Sequence, residues 1–471
     1  MRALIVHDHG GPPLRHLLPC WLARARTAVY LPRPERISAA DRAYLDELGV
    51  PVVGDETPPA HRRGPEDHPP IARAARAYGA DALSTASEPY ALAVARAAQE
   101  LGLRGASSMG AAQARDKLLM RDALRRAGFV SPRHRAVTGP DDIVAALSDF
   151  GGPLLLKPRR GMSAVGIQPV TRPQDAARAY REALDSFGGF DAIAAGREDF
   201  LVEELLVGDA SAWYECAGLS DQVCVEGIVV EGRYTPTAIT DVTPKVPPFT
   251  QSGHLSPTSL PPAAQQRVLD AARRTVAALE LSTCATHVEL KLMPDGTCAV
   301  IEVAARFPGR TIVAQCDHAY ATDLGGALAD ALLHGQDTVQ PLSTERVPSR
   351  AAATVHLYPS EYLRRLPDRR RGGPSPAYAG LEPLAGLLGP GIRVAGFRER
   401  PHGWPVSAHG HEQSHWLVQL HLESDSLPRL RNAVARVRAG FRPRQTADAE
   451  QPATADTTPV HLEGKNRACR P

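Results

Sequence analysis

The spacing of apolar residues divides the chain into short strands and helices. Apolar runs predict strands at Ala3–Val6 and Thr27–Leu31, and apolar residues at helical spacing predict a helix over Pro89–Leu101. Because strands alternate with helices in this N-terminal part, we expect a parallel α/β sheet there. The same helical spacing predicts one amphipathic helix over Gln113–Ala127 and another over residues 262–281.

Apolar strands further along the chain alternate with loops of small residues. The segment Pro153–Pro158 predicts a buried strand that contains a lysine near its end, and a loop rich in small residues follows it. Phe200–Gly208 predicts a second strand that runs out into a loop. Residues 284–304 are predicted to form a hairpin around Asp295 and Gly296, because Asp-Gly is typical of two-residue turns.

The predicted hairpin brings two carboxylates together. If Asp295 and Gly296 are the two loop residues, counting back along both strands pairs Glu289 with Glu302. The opposite face is then uniformly apolar and is predicted to be core: Val288, Leu290, Leu292, Ala299, Ile301 and Val303. Paired carboxylates repel each other, so a shared proton, the neighbouring Lys291 or a cation must compensate them. Oxygen ligands favour a hard cation such as Mg²⁺, and two exposed glutamates on a solvated sheet face are the alternative.

Lysines supply the charge that complements a phosphate. Lys117 lies on a predicted helix, and Lys157 precedes the loop that carries Gly161, Ser163 and Gly166. Backbone N–H groups of such a loop can approach phosphate oxygens, whose charge the ammonium neutralises. The alternative is a surface loop with a solvated lysine. Neither GxxxxGK[ST] nor GxGxxG occurs between a strand and a helix, which argues against a P-loop or a dinucleotide site.

Composition excludes a few classes of protein. The 471 residues include 54 Lys and Arg against 52 Asp and Glu, and this balance argues against nucleic acid or an anionic membrane as the main partner. The sequence contains no apolar run of about 18 residues, so no membrane span is predicted. The apolar N-terminal stretch is too short for a signal peptide. The seven cysteines lack CxxC spacing and are typical of a reducing, cytoplasmic setting.

Five features in a fixed order resemble the ATP-grasp superfamily. They are Asp116-Lys117, Lys157 with its small-residue loop, Glu203-Glu204 followed by Gly208, Glu289, and Glu302 followed by Arg306-Phe-Pro-Gly309. Within that superfamily the chain is similar to carboxylate–amine ligases such as the bacterial L-amino-acid ligases. The resemblance implies an α/β ATP-grasp fold with an N-terminal parallel-sheet domain, two lobes that clamp ATP and an extra C-terminal α/β lobe.

Domain boundaries follow from the resemblance and from the loss of periodicity near the C-terminus. We expect an N-terminal α/β domain over residues 1–108 and an ATP-grasp domain over residues 109–336, with a small central lobe at about 130–205. A C-terminal lobe is expected over residues 337–442. From residue 443 onward the apolar periodicity ends, so residues 443–471 are predicted to be a disordered tail.

The resemblance also implies residue roles toward ATP and a metal. For ATP it implies two phosphate-binding lysines, a mobile loop over the triphosphate, an adenine-binding glutamate and a hinge. Lys117 and Lys157 would bind the phosphates, and Gly161, Ser163 and Gly166 would form the mobile loop. Glu203 would bind adenine, and Glu204 with Leu205 would form the hinge. For the metal, Mg²⁺ or Mn²⁺, it implies Glu289 and Glu302. Arg306 would hold the γ-phosphate or the acyl-phosphate. Arg310 is a separate candidate from the residues themselves: it could pair with a substrate carboxylate, and an ordinary structural role is the alternative.

Two positions depart from the pattern, and several others are candidates for substrate contacts. Many ATP-grasp enzymes carry a metal-binding Asn where this chain has Ala304, and Glu is common where it has Asp209. Candidates near the substrates, each with an ordinary structural role as the alternative, are Glu226, Ser252, Gly253, His254 and His287. The remaining histidine groups fit no zinc spacing and are interpreted as loop histidines: His7 and His9, and His409, His411 and His415.

The implied activity is ATP-dependent ligation. The carboxylate of one substrate would attack the γ-phosphoryl group of ATP, which yields an acyl-phosphate and ADP. An amine would then displace phosphate and form an amide or peptide bond. The expected partners are a small-molecule carboxylate and an amine, and a homodimer is compatible with the sequence. The alternatives are another ATP-grasp ligase or carboxylase, and an ATP-binding regulatory protein with a decayed site, which Ala304 would favour.

Overall fold

The structure is a computed structural model that describes residues 1–446 except nine gaps. The gaps are 9, 55–65, 130, 163, 187–198, 345–347, 366–376, 382–383 and 401–415. Among the described residues, no helix combines the length and the apolar character that a membrane span requires. The predicted loop histidines 9, 409, 411 and 415 and most of the predicted tail lie outside the described residues.

A four-stranded parallel sheet in the order β3-β2-β1-β4 forms the N-terminal domain. Its strands are β1 (Arg2–Val6), β2 (Arg26–Leu31), β3 (Val52–Gly54) and β4 (Ala82–Thr85). Its helices are α1 (Leu14–Leu22), α2 (Ala39–Glu47), α3 (Pro69–Tyr78) and α4 (Ala91–Leu101). Parallel neighbours need such helical crossovers, so the predicted parallel α/β sheet is confirmed.

The helix predicted over Gln113–Ala127 is in fact two helices. α5 (Ser108–Arg115) ends and α6 (Lys117–Arg126) begins at Asp116, whose backbone is extended at φ −108° and ψ 110°. The Asp116 carboxylate accepts a hydrogen bond from the backbone N–H of Leu118 at 3.0 Å and so caps α6. The apolar period continues across the break, which is why periodicity alone did not reveal it.

An antiparallel sheet in the order β5-β8-β6-β7 forms the small central lobe. Its strands are β5 (His134–Val137), β6 (Leu154–Pro158), β7 (Gln168–Val170) and β8 (Phe200–Glu204). Two helices, α7 (Pro140–Phe150) and α8 (Ala176–Asp185), share an apolar core with the sheet. The loop rich in small residues connects β6 to β7 and lies between this lobe and the rest of the chain.

The largest sheet has eight antiparallel strands in the order β13-β12-β9-β10-β11-β14-β17-β16. The strands are β9 (Gln222–Val230), β10 (Arg233–Val242), β11 (Gly253–Ser256), β12 (Cys284–Leu292), β13 (Cys298–Ala304), β14 (Ala351–Leu357), β16 (Arg393–Glu399) and β17 (Val418–Ser424). Helices α9 (Pro262–Ala278) and α14 (Leu427–Gly440) pack on one face. Helices α10 (Ile312–Tyr320) and α11 (Leu324–His334) pack on the other face, next to the N-terminal domain.

The residues expected to form a separate C-terminal lobe instead complete this sheet. β14 pairs with β11, and Gly253 lies opposite Val355, so hydrogen bonding continues across the expected boundary at residue 337. Val355 and Leu420 face the same apolar core as α9 and α14, and burying them there explains the continuity. The short helices α12 (Pro359–Leu363) and α13 (Ala385–Leu388) accompany these strands.

The first residues of the predicted disordered tail belong to a small two-stranded sheet. β15 (Ala377–Leu381) pairs with β18 (Pro443–Thr446), so the first four residues of the segment predicted to be disordered form a strand. Backbone pairing with β15 orders these residues although their side chains show no apolar periodicity. The rest of the predicted tail lies outside the described residues.

The hairpin β12–β13 pairs Glu289 with Glu302 as predicted, but it does so by a different route. Five residues separate the last paired positions, Leu292 and Cys298, so the connection is longer than the predicted two-residue turn. A bulge at Ile301 then shifts the register by one residue and restores the glutamate pair. As a consequence Val300 joins the apolar core, whereas Ile301, which was predicted to be core, lines a cleft.

Candidate active site

A cleft of about 960 Å³ lies where the N-terminal domain, the central lobe and the large sheet meet. Ten of the predicted site residues line it: Lys117, Lys157, Glu203, Leu205, His254, His287, Glu289, Glu302, Arg306 and Arg310. They come from separate parts of the sequence, and only the packing of the three regions brings them together. Ser163 lies outside the described residues.

A buried ion network surrounds Glu203 at the end of β8. One of its carboxylate oxygens accepts a hydrogen bond from Lys157, and the other accepts from Arg121 Nε at 3.0 Å. All three side chains are buried. Burial alone would raise the pKa of Glu203, but the charges of Arg121 and Lys157 lower it to about 2. Burial lowers the pKa of Lys157, and Glu203 opposes that shift.

Arg121 is a functional candidate that the sequence analysis missed. Its side chain is 1% exposed, and its guanidinium also donates to the backbone carbonyls of Val300 at 2.6 Å and Ile301 at 3.1 Å. The residue therefore connects α6, the central lobe and the hairpin that carries the paired glutamates. Its position four residues after Lys117 places it on the same side of α6, and this spacing is the signal that could have identified it.

Lys117 connects three elements at the edge of the cleft. Its Nζ lies 2.9 Å from Glu302 Oε1 and 3.5 Å from the backbone carbonyl of Gly161. Its backbone N–H donates to the carbonyl of Arg159 at 2.9 Å. The first residue of α6, the small-residue loop and the hairpin therefore meet at one ammonium group.

The small-residue loop after β6 is anchored at its start. The guanidinium of Arg159 donates to both oxygens of Asp116, at 3.1 and 2.7 Å. Gly161 and Gly166 are buried, and Gly166 has a φ of +74°, a conformation that favours glycine. Neither glycine lines the cleft, but Met162 and Ala164 between them do.

Polar side chains hold Glu289 at the floor of the cleft. Its oxygens accept hydrogen bonds from Gln222 Nε2 at 2.9 Å and Gln251 Nε2 at 3.2 Å, and His287 Nε2 lies 3.3 Å away. Burial alone would raise the pKa of Glu289, but His287, Lys245 and Gln251 lower it to about 2. Glu289 is therefore an ionised carboxylate at neutral pH, which is the form that a cation binds.

Glu226 acts on the site through His287. Both of its carboxylate oxygens lie 3.0 Å from His287 Nδ1, and Glu226 itself is buried behind the cleft wall. Burial alone would lower the pKa of His287, but the charge of Glu226 raises it well above its usual value. The carboxylate thereby fixes the orientation of the imidazole, whose Nε2 points toward Glu289.

Of the three neighbouring candidates on and beside β11, one reaches the cleft. His254 lines it, and its Nε2 lies 3.2 Å from Gln251 Oε1. Burial, with a contribution from Arg310, lowers the pKa of His254 to about 3 and so keeps the ring neutral. The Ser252 hydroxyl donates to the backbone carbonyl of Pro244 at 3.0 Å, and Gly253 pairs with β14, so these two residues support the strand.

Two arginines follow β13 and connect the large sheet to the N-terminal domain. Arg306 Nε donates to Glu88 Oε2 at 2.5 Å, and Glu88 is a buried residue of the N-terminal domain. Arg310 has a φ of +64°, and its backbone N–H donates to the carbonyl of Gly11 at 3.2 Å. Its guanidinium lies 3.3 Å from the backbone carbonyl of Gln251, inside the cleft.

The carboxylates present fit a hard divalent cation. Glu289 and Glu302 lie opposite each other on neighbouring strands and both line the cleft. Ala304 also lines the cleft and offers no side-chain oxygen, so water and substrate oxygens would have to complete the coordination shell. Asp209 is not part of this set, because its carboxylate accepts hydrogen bonds from the backbone and hydroxyl of Ser211 at 2.8 and 2.6 Å.

Comparison with known proteins assigns the same region to a family. The sequence profile of the ATP-grasp domain matches residues 150–314. The alanine–anticapsin ligase of Bacillus subtilis (strain 168) is 32% identical over 379 residues, which are 76% of this chain and 80% of that protein. The similarity therefore extends well beyond the profile match and over most of both chains.

Solved structures share the fold over nearly the whole chain. The crystal structure of an L-amino acid ligase from Bacillus licheniformis has a TM-score of 0.67 at 16% identity, and covers 94% of this chain and 98% of that one. A biotin carboxylase complex from Campylobacter jejuni has a TM-score of 0.61 at 15% identity, and covers 94% and 92%. At these identities the likeness establishes the ATP-grasp fold, which confirms the predicted fold class.

Proposed function

The chain belongs to the ATP-grasp carboxylate–amine ligases, and from this premise we propose that it joins two amino acids, or an amino acid and a small carboxylic acid. The reaction would pass through an acyl-phosphate and release ADP. The similar alanine–anticapsin ligase, by its name, joins an amino acid to a second substrate. The observation that carries the proposal is the glutamate pair Glu289 and Glu302 in one cleft with Lys117 and Lys157.

We assign ATP to the space between the central lobe and the large sheet. Lys117 and Lys157 would contact its phosphates, and the loop with Gly161, Ser163 and Gly166 would cover them. In the structure Lys117 contacts Glu302, and Lys157 contacts Glu203. ATP phosphates would compete for these ammonium groups, so binding would exchange internal ion pairs for contacts with substrate.

Adenine would lie along the connection after β8. Leu205 lines the cleft, and its backbone N–H donates to the carbonyl of Pro153 at 3.0 Å, which holds the connection against the central lobe. The half-buried Glu204 side chain pairs with Arg133 at 2.5 Å and thus stabilises the same connection. The assignment of the adenine amino group to Glu203 stays a prediction, because both oxygens of Glu203 accept from cations.

We propose that Glu289 and Glu302 hold Mg²⁺ or Mn²⁺. When bound, the cation would neutralise charge on the phosphates of ATP. Gln222 and Gln251 donate to Glu289, so they fix the direction of its oxygens. Lys117 donates to Glu302 and so fixes the direction of that carboxylate.

The chain would promote the reaction by position and charge. Arg306, fixed by Glu88, would stabilise the negative charge of the transferring phosphoryl group, and Arg310 would orient a substrate carboxylate. His287 and His254 line the same cleft, and His254 is neutral, so it can accept or donate one hydrogen bond. No side chain needs to form a covalent bond with substrate, because the carboxylate itself attacks ATP.

The alternatives raised by the sequence are not favoured. A decayed regulatory site would be consistent with Ala304, but both lysines and both glutamates are present and line the same cleft. The biotin carboxylase similarity is one of fold alone. The expected homodimer stays a prediction, which light scattering of the purified chain after size exclusion would test.

The test is ATP cleavage that depends on two substrates. Purified protein is incubated with ATP, Mg²⁺ and a panel of amino acids, singly and in pairs, while ADP release and product mass are measured. ADP release that requires a pair, with a product lighter than the two substrates by one water, supports the ligase. ATP binding without ADP release for any pair of amino acids or of an amino acid with a small carboxylic acid would overturn the proposal.

A further inference from the structure

Three side chains of different ligand chemistry meet at and just beneath the floor of the cleft: His287 and Glu289 line it, and Cys224 is fully buried. The ligand atoms of Cys224, His287 and Glu289 lie within 4.8 Å of one another. Cys224 on β9 lies directly opposite Glu289 on β12, and His287 lies two residues before Glu289 on the same face. The sheet register therefore holds a thiol, an imidazole and a carboxylate in one place.

This ligand set differs from the one that magnesium prefers. Mg²⁺ takes oxygen ligands, whereas a thiolate, an imidazole nitrogen and a carboxylate oxygen together favour Zn²⁺. His287 Nε2 lies 3.3 Å from Glu289 Oε1. Two ligands about 2.0–2.1 Å from a tetrahedral zinc ion are separated by about 3.3 Å, so this pair already has the required spacing.

The surroundings of His287 provide a second, independent indication of a metal site. The buried carboxylate of Glu226 lies 3.0 Å from Nδ1, so that nitrogen keeps its proton, and zinc would bind Nε2 in place of the proton that Nε2 carries. Zinc-binding histidines typically donate their other ring N–H to a carboxylate in this way. The side-chain oxygen of Gln222 is buried and has no hydrogen-bond partner among the described residues, so it could accept from a metal-bound water.

We propose that Cys224, His287 and Glu289 form a zinc site whose fourth position opens to the cleft, and that zinc bound there inhibits the ligase. The Cys224 thiol and His287 Nε2 would each release a proton to solvent as zinc binds. Inhibition would arise because Glu289 is shared, and zinc would withdraw it from the magnesium site. Zinc binding is independent of the proposed function, whereas the inhibition rests on it.

Cobalt is a direct probe for this ligand set. The full-length metal-free chain is titrated with Co²⁺ in excess Mg²⁺, without ATP or amino acids, and the thiolate-to-cobalt charge-transfer absorption is recorded. One Co²⁺ per chain with this absorption, displaced by one Zn²⁺, is the expected result. Its absence from the wild-type chain would overturn the proposal, whatever the variants show.

Matched cysteine variants locate the thiolate. Cys224→Ser should abolish the charge-transfer absorption, whereas Cys284→Ser should retain it, because Cys284 is a buried β12 residue outside the cluster. Glu226→Gln should weaken zinc binding about 10- to 100-fold, since it alters only the group that orients His287. Circular dichroism establishes that each variant is folded. Retention of the absorption in a folded Cys224→Ser chain, or its loss in Cys284→Ser, would overturn the assignment.

Inhibition is then measured on the ligase reaction. Zinc should inhibit the wild type and Cys284→Ser at similar concentrations, whereas Cys224→Ser should need at least about 100-fold more zinc relative to its own uninhibited rate. Equal inhibition of wild type and Cys224→Ser would overturn the inhibitory role. If the protein binds cobalt through Cys224 but shows no ligase activity, the zinc site stands and the proposed function fails.

Discussion

Strands β9 and β12 carry two different surfaces along a single face of the large sheet. Toward the cleft this face presents Gln222, Cys224 and Glu226 on β9, and His287 and Glu289 on β12. A few residues further along each strand, the same face presents Ile228, Val230 and Ala285 to an apolar core shared with α11 and the N-terminal domain. We call these two regions the charged half and the apolar half of the face.

The difference between the halves shows how the chain makes a site without weakening its sheet. Side chains at alternate positions share a face, so the change from polar to apolar occurs within one strand and without a break in hydrogen bonding. The apolar half packs beneath α11, and this packing fixes the backbone that the charged half uses. We therefore expect substitutions in the charged half to change turnover and substitutions in the apolar half to change stability.

The largest effect is expected at Glu302, which lies on β13 directly opposite Glu289 of the charged half. Glu302→Gln removes a proposed metal ligand and the ionic partner of Lys117, so turnover should fall by about 10²–10³-fold. The side chain is 29% exposed, so the melting temperature should change little. Steady-state ADP release and a thermal melt measure the two quantities, and undiminished turnover would contradict the metal-site assignment.

A substitution in the apolar half should lower the stability of the fold and leave turnover nearly unchanged. Ile228→Ala leaves a cavity between the sheet and α11, and should lower the free energy of unfolding by about 3 kcal/mol. Turnover per folded molecule at low temperature should stay within about twofold, since Ile228 does not line the cleft. Urea denaturation and ADP release test both parts. A large loss of turnover in a folded Ile228→Ala chain would mean that the two halves are not separable.

A buried carboxylate on the opposite face of the large sheet, that of Asp241, has a pKa that can be compared with the pKa of Glu289. Asp241 accepts hydrogen bonds from Tyr214, Thr258 and Ser259, and burial raises its pKa from 3.8 to about 6 despite these donors. Glu289 in the charged half has a pKa of about 2 because His287 and Lys245 are close. Burial acts to raise both pKa values, so the difference between them comes from the cationic neighbours of Glu289 rather than from burial.

This shift predicts how stability changes with pH. Folded Asp241 binds its proton more tightly than unfolded Asp241, so its contribution is full below about pH 4 and is lost as pH rises through about 6. A shift of about two pKa units corresponds to about 3 kcal/mol. The difference in unfolding free energy between wild type and Asp241→Asn should therefore move by about 2.5 kcal/mol against the wild type between pH 4 and 7.5. A pH-independent difference would contradict the raised pKa.

The smallest effect is expected at the edge of the charged half. Lys291 pairs with Asp221 at 2.7 Å rather than with the glutamates, and both side chains retain contact with solvent. Such an ion pair contributes about 0–1 kcal/mol, so Lys291→Gln should change turnover less than about threefold and stability by less than about 1 kcal/mol. A loss comparable to that of Glu302→Gln would show that the charged half extends to this end of β12.

The predicted pairing of the two glutamates was right for reasons that were only partly correct. The Asp-Gly dipeptide indicated a turn, but neither the longer connection nor the bulge at Ile301 has a signature in the residue pattern. The two departures cancel, so Glu289 and Glu302 still face each other, while Val300 rather than Ile301 enters the core. The alternation of apolar and polar residues predicts which side chains share a face of a strand only up to a bulge, because a bulge shifts the alternation by one residue.

Arg121 and the C-terminal strands show what local patterns cannot predict. The helical period of α6 places Arg121 beside Lys117, but its partner Glu203 is distant in sequence, so the buried network depends on packing. Likewise, the expectation of a separate C-terminal lobe missed that β14 and β17 extend the sheet of β9 and β12. Nothing in the sequence places Cys224 beside His287 and Glu289, because these two residues belong to another strand.

By itself the sequence determined the parallel α/β sheet of the N-terminal domain, the order of the ATP-grasp features and the pairing of two carboxylates. These properties depend on residues close in sequence or on motifs read one after another. The tertiary structure alone decided which charges neutralise each other, which lobe completes the sheet and which ligands meet at the cleft floor. Those outcomes depend on distances between elements remote in sequence, and only the burial of apolar faces against one another sets such distances.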